Sequence, residues 1–237
     1  MSELSKWARG VKQDLRCITM ARSFDRTILD AGMFRSGSTW LFNAARLILE
    51  SDRDVSLVSG WITEIYRRKD KTGNALLAKI HDYNYFLAKS ADDILYSYRD
   101  IRDVLTSMQR AFDQPPTMQF AKQLIHNDRK WKSVATFVVR YEDMMSKKTE
   151  TIRRLANHLG IDPVDARRID DRIERMRHED PSVGKSKSHN AKNLLHASHI
   201  TDGRHGSWVN ELPEDFVSQV EEELADWFIA NGYEVPR

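Results

Sequence analysis

Short apolar runs and helix-spaced stripes alternate along most of the chain. "TILDAG" (27–32) is a compact apolar run ending at a glycine and reads as a buried strand. From Thr39 the pattern changes period, with Leu41, Ala44, Ala45 and Ile48 at i, i+3, i+4, i+7 spacing. "ALLAKIH" (75–81), "DILYSYR" (93–99) and "TFVVRYE" (136–142) are three further strand candidates. The second leads into a helix with Ile101, Val104, Leu105, Met108 and Phe112 on one face. The third precedes a helix striped by Ile152, Leu155, Ala156 and Leu159 and stopped by Gly160.

Further on, 162–177 is rich in Arg and Asp and reads as a solvated helix. Residues 178–210 show no periodicity and read as one long loop of the kind that often carries function. A last helix starts at Pro213, turns Phe216, Val220, Leu224, Trp227 and Phe228 inward, and ends at Asn231-Gly232. Strands alternating with helices predict an α/β fold around a mostly parallel sheet. A chain of 237 residues is expected to form one domain, with 1–25 as a lead-in.

Composition narrows the partners. A net charge of +2 gives no global attraction to nucleic acid or membrane, so anion binding must come from local placement of Arg and Lys. Cys17, the only cysteine, excludes an internal disulfide framework and fits a reducing compartment. No apolar run has the length to span a bilayer, and the charged N-terminus does not read as a secretory signal. A cytoplasmic location is the expectation.

The chemistry centres on "GMFRSGSTWLF" (32–42), which lies between the first strand and its helix. Gly32 and Gly37 have the spacing of an ATP-binding phosphate loop, G-x-x-x-x-G-K-[ST], and Thr39 stands at the magnesium-binding hydroxyl. Position 38 is a serine, however, where that loop requires lysine. A glycine turn before a helix presents amide donors and a positive dipole end, so Gly37, Ser38, Thr39 and Trp40 are candidate anion donors. Arg35 lies within the loop. A tight turn that binds nothing is the plain alternative.

"FRSGSTWL" resembles the P-S-G-T-T-W loop of sulfotransferases that use 3′-phosphoadenosine 5′-phosphosulfate (PAPS), in which the basic residue precedes S-G. Three other segments extend the resemblance. "AKIHDYN" (78–84) is similar to the family's K-x-H, "YSYRDIRDVLTSMQRAF" (96–112) to V-x-R-x-x-x-D-V-x-x-S, and "VVRYEDMMSKKTETIRRLANHLGI" (138–161) to its Y-E-D-hydrophobic segment. "DGRHGSWVNEL" (202–212) matches R-K-G-x-x-G-D-W-K-N in part: Gly203, Gly206, Trp208 and Asn210 fit, while Thr201 and Asp202 replace the basic pair.

The resemblance implies a three-layer fold like that of P-loop NTPases, acting as a transferase of the sulfuryl group with PAPS as donor and no metal. It implies His81 as general base, with Lys79 and Arg35 neutralising the leaving phosphate. Ser36, Gly37, Ser38, Thr39 and Trp40 would line the 5′ end of the nucleotide, with Trp40 and Tyr141 near adenine. Arg99 and Ser107 would take the 3′-phosphate, and Ser107 is expected to be free for it. Gly203 and Arg204, or a lysine of 185–192, would complete that end. The implied acceptor is a small molecule bearing a hydroxyl or amine, in a pocket shaped by 51–74 and 178–200 with Trp61 and Tyr66 as walls.

A P-loop kinase, with Asp100 or Asp143 on magnesium, is the rival reading, and a non-catalytic nucleotide-binding protein is a third. His178, His189, His196, His199 and His205 have no Cys partner and no H-E-x-x-H spacing, so no zinc site is expected.

Overall fold

The computed structural model describes residues 17–68, 72–179, 192–195 and 204–235. Five strands form one parallel sheet in the order β2-β3-β1-β4-β5. They are β1 (Arg26–Asp30), β2 (Leu57–Trp61), β3 (Ala75–Lys79), β4 (Asp93–Tyr98) and β5 (Phe137–Arg140). In register, Asp30 of β1 lies beside Lys79 of β3 and Leu95 of β4.

Successive side chains of a strand face opposite sides of the sheet, and each side here has its own core. Leu29, Leu76, Ala78, Ile94 and Tyr96 enter one apolar cluster. Ile28, Leu77 and Leu95 enter the other. On the second face pack α1 (Ser38–Leu49), α7 (Lys148–Leu159) and α8 (Ala166–Glu179). On the first pack α4 (Ile101–Phe112) and α5 (Met118–Lys132), with α10 (Glu214–Glu223) and α11 (Ala225–Ala230) from the C-terminal end. Short helices α2 (Ile62–Ile65), α3 (Tyr85–Ser90), α6 (Tyr141–Ser146) and α9 (Trp208–Glu211) complete the described elements. None of the described helices is long and apolar enough to cross a membrane.

The four expected strands and the helices after them are present, and the sheet is parallel throughout. Several expectations are corrected. The segment 162–177 is not simply solvated: Ala166, Ile169, Ile173 and Met176 of α8 are buried against α1 and α7. Phe112 lies at the last turn of α4 and is 55% exposed, because the helix stops there at Asp113 in the left-handed region.

The expected last helix is two, broken at Leu224 (φ −116°, ψ 18°). The long loop is shorter than expected at both ends, since α8 runs to Glu179 and α9 starts at Trp208. β2 and α5 were not among the expected elements. β2 is short and interrupted by Gly60, and α5 carries its polar face through most of its length, with only Ala121, Leu124, Ile125, Asp128 and Trp131 buried.

Asp128 gathers several buried polar groups on the first face. The Asp128 carboxylate accepts from the Tyr96 hydroxyl (2.9 Å) and the Trp227 indole (2.7 Å), with Lys132 alongside at 3.0 Å. This fastens α11 to α5 and to the centre of the sheet.

Candidate active site

Parallel strands deliver their loops to one edge, the carboxyl ends, where α/β sheets bind ligands. β1 feeds the glycine loop, β3 ends at Lys79 with His81 two residues on, β4 is followed by Arg99, and β5 by Tyr141. Four of the segments singled out from sequence therefore meet at one edge.

The loop geometry explains its glycines. A Cβ at Gly32 would come within 2.4 Å of Ser38 Cβ and of Ser97 Oγ. Gly37 is the N-cap of α1 at φ +75°, and a Cβ there would meet Met144 Cε at 2.6 Å and Tyr141 Cδ2 at 2.9 Å. No side chain caps α1. Arg35 also takes a positive φ (58°), unusual for a residue other than Gly, Asn or Asp. The Trp40 amide, expected to face an anion, donates instead to the Gly37 carbonyl (2.9 Å). Ser36 offers no side chain to a ligand: its buried hydroxyl bonds the Met33 carbonyl (2.6 Å), the Ser97 carbonyl (2.9 Å) and Ser97 Oγ (2.8 Å).

The lysine missing from position 38 is answered from β3. Lys79 Nζ donates to Ser38 Oγ (2.9 Å) and to Asp30 Oδ2 (2.6 Å), and both charged side chains are essentially fully buried. Burial pushes the Asp30 carboxyl up and the Lys79 ammonium down, and each partly restores the other's charge. His81 is set beside them. Its Nδ1 lies 2.6 Å from the Gly32 carbonyl, which can only accept, so Nδ1 carries the proton and Nε2 is left basic. Burial and then the Lys79 charge lower the His81 pKa to about 3. Phe34 and Trp61 flank the imidazole at ring distances of 4.2 and 5.2 Å, and the His81 carbonyl accepts from the Trp131 indole (2.9 Å). Trp61 is therefore a wall beside His81, while Tyr66 packs half-buried on the core, with its hydroxyl taken by Arg67.

A second cluster forms around Arg99, which is 5% exposed. Its Nη1 donates to the Arg35 carbonyl (3.2 Å) and its Nη2 to the Arg204 carbonyl, and its guanidinium lies 4.3 Å from the centre of the Tyr141 ring. Its Nε is buried without an acceptor among the described residues. Arg35 reaches the same place, with Nε donating to Ser107 Oγ (2.8 Å). Desolvation and then the neighbouring Arg99 charge lower the Arg35 pKa. Ser107 is thus buried, and its Oγ accepts from Arg35 where it was expected to be free. Arg35 stands with Arg99 and Ser107, and Lys79 with Ser38 and His81.

Trp40 is half-buried against the α1, α7 and α8 cluster, and Thr39 is half-buried at the loop. Arg204 is exposed beside Arg99. Gly203, Thr201, Asp202 and the lysines of 185–191 lie outside the described residues; Lys192 pairs with Glu50 (3.2 Å). His178 and His205 are exposed, and His189, His196 and His199 also lie outside the described residues. Among the described residues no three His, Cys, Asp or Glu side chains gather as for a metal.

Sequence reasoning missed Asp30, Ser97, Phe34 and Asp103. Asp30 could have been found as an acid ending a strand directly before a glycine loop.

The family comparison bears on the half of the chain that carries Tyr141 and the 204–211 segment. The model of the sulfotransferase domain matches residues 116–230. Solved structures extend the likeness of fold to most of the chain. The mouse sulfotransferase SULT7A1 complexed with PAP is 16% identical, with a TM-score of 0.65 over 90% of this chain and 88% of that one. Retinol dehydratase in complex with androsterone and inactive cofactor PAP is 14% identical, with a TM-score of 0.59 over 90% of this chain and 82% of that one. The same enzyme with retinol and PAP gives 15% identity and a TM-score of 0.55, over 90% of this chain and 84% of that one. No curated protein matches the sequence with significance.

Proposed function

We propose that this sulfotransferase-family protein moves a sulfuryl group from PAPS to a hydroxyl or amine of a small-molecule acceptor in the cytosol, with His81 as general base. The observation that carries this reading is the placement of His81: its tautomer is fixed by the Gly32 carbonyl, on the loop whose Ser38 is bound by Lys79. The residues present fit a nucleotide with two anionic ends. One end has the uncapped start of α1 with Lys79, and the other has Arg35, Arg99 and Ser107, including the orphaned Arg99 Nε. Gly32 leaves no room for a side chain where the loop folds back on Ser38.

PAPS supplies an activated sulfuryl group on a 5′-phosphate, leaving adenosine 3′,5′-bisphosphate. The protein's share is positioning and electrostatics, as in the related phosphoryl transfers. His81 Nε2 takes the acceptor's proton as its oxygen or nitrogen attacks. Phe34 and Trp61 flank the imidazole and orient it. Lys79 and the α1 amides stabilise negative charge growing at the leaving oxygen. Tyr141 holds Arg99 by its ring face, and Trp40 stands beside the loop for the base.

The kinase reading has less support. Both oxygens of Asp100 accept from Arg102 (2.6–3.2 Å), and Asp143 is exposed on α6.

Calorimetry decides between the two readings. Adenosine 3′,5′-bisphosphate is expected to bind without magnesium; magnesium-ATP binding with none for the bisphosphate overturns the proposal. His81→Ala is expected to keep bisphosphate binding while transfer of labelled sulfate falls about 100-fold or more. Unchanged turnover removes His81 from this role.

A further inference from the structure

One row of side chains at the start of α4 holds the turn 204–208. Arg99 precedes the helix, Asp100 caps it, and Arg102 and Asp103 lie in its first turn, so residues 99, 102 and 103 share a face at i, i+3, i+4 spacing. Arg99 donates to the Arg204 carbonyl. Asp103, 2% exposed, accepts from the Gly206 amide (2.8 Å) through one oxygen and from the Ser207 amide (3.1 Å) through the other. Arg102 lies 4.0 Å from the centre of the Trp208 ring, with its own charge met by Asp100 and Glu221.

Asp103 is a costly choice at this place. Its carboxylate lies 3.8 Å from Arg99 Nη2 and one turn of helix from Ser107, so it subtracts from the positive field on which a phosphate depends. Its burial is compensated by the turn: two backbone amides and one guanidinium satisfy it. The same segment continues into the exposed Arg204 beside Arg99. An acid here is useful only if fixing the turn is worth more than the charge it cancels.

We propose that Asp103 is a positioning residue for nucleotide binding: it latches the 204–208 turn across Arg99 and Ser107, and this ordering outweighs its unfavourable charge. The inference rests on the reading that Arg99 and Ser107 receive a nucleotide phosphate. Asp103→Asn separates the two effects by sign. It removes the negative charge, which alone tightens anion binding, and it leaves one of the two backbone amides without an acceptor, which alone weakens it. Ser207→Pro removes one latch donor and leaves Asp103 charged; Ser207 has φ −65°, which proline adopts.

The test uses the full chain. Hydrogen exchange over 204–210 without ligand is expected to quicken in both variants. The Kd for adenosine 3′,5′-bisphosphate is expected to rise about tenfold, the scale of one charge-assisted hydrogen bond, with that for adenosine 5′-phosphate changing less than about twofold. KM for PAPS should follow, with kcat and the acceptor KM near wild type. Unchanged exchange at 206–207, or Asp103→Asn binding the bisphosphate as tightly as wild type or tighter, overturns the latch. Equal losses for both nucleotides overturn it too, as does a fall in kcat without a change in KM. A wild-type protein that binds no bisphosphate overturns the functional reading itself, and this inference with it.

Discussion

At one end of the site Lys79 is sealed against Asp30 and Ser38; at the other, Arg99 and Arg35 crowd together around Ser107. The lysine's charge is paired 2.6 Å away with a carboxylate that is itself fully buried. Arg99 is held mainly by carbonyl oxygens and an aromatic face, and keeps one N–H without an acceptor among the described residues. Asp103 is its ion-pair partner there, and that carboxylate also serves two amides. The Lys79 end is therefore built for fixed geometry in a dry setting, which suits a reacting centre. The Arg99 end brings two guanidinium groups together at one place, which on the proposed reading suits affinity for an anion. Substitutions at the two ends should fail in different ways.

The largest expected effect is on stability, at the sealed end. Lys79→Ala leaves Asp30 buried and unpaired, a loss of about 3–5 kcal/mol. Replacing both partners, as in Lys79→Met with Asp30→Leu, should recover most of it, because two apolar groups need no partner. Urea unfolding of the single and double variants measures this. A single variant within about 1 kcal/mol of wild type would show that the pair is not sealed and would erase the contrast.

Affinity should be lost at the other end. Arg99→Ala is expected to weaken adenosine 3′,5′-bisphosphate binding about 10- to 100-fold, as for hydrogen bonds to a charged group, and to spare adenosine 5′-phosphate. Arg99→Lys should restore only part, since a single ammonium cannot serve two carbonyls and a phosphate as the planar fork does. Calorimetry with both nucleotides reads the outcome. Equal losses for the two ligands would place Arg99 at neither end in particular.

This division between the ends was only partly legible in the sequence. The parallel α/β architecture was, because Ile28, Leu77 and Leu95 lie in short apolar runs bounded by turn residues. The convergence of the glycine loop, "KIH", Arg99 and Tyr141 was legible too, through a resemblance spread over ordered segments. Pairing was not. Whether Lys79 meets an acid depends on the β1–β3 register, which places Asp30 beside it, and no local pattern encodes register between strands 49 residues apart. The direction of Arg35 was hidden for a similar reason: its positive φ turns the side chain toward Ser107, 72 residues away. β2 was missed because its two buried positions are Val58 and Gly60 while Leu57 and Trp61 face the other way, so its alternation does not show in residue type; the buried stripe of α5 has helical spacing but includes Asp128 and lies among polar residues.

The smallest expected effect separates the ends by pH. His81 has its folded pKa lowered to about 3 from an ordinary value of 6.5, chiefly by burial. Between these values the unfolded chain binds more protons at this site than the folded one, so the contribution makes stability rise with pH across that window. It is fully present above about pH 6.5 and is lost as pH falls toward 3. Arginine side chains in general do not titrate in this window, so substitutions at the other end should leave the slope as it is. Urea midpoints for wild type, His81→Gln and Arg99→Ala, taken at about pH 7 and pH 5, give the comparison, and the histidine variant alone should lose less stability on acidification. If wild type and His81→Gln decline in parallel, the histidine is solvated rather than held neutral. A solvated histidine would be protonated in weak acid, and the acid limb of the pH profile of kcat would then lie in the ordinary histidine range.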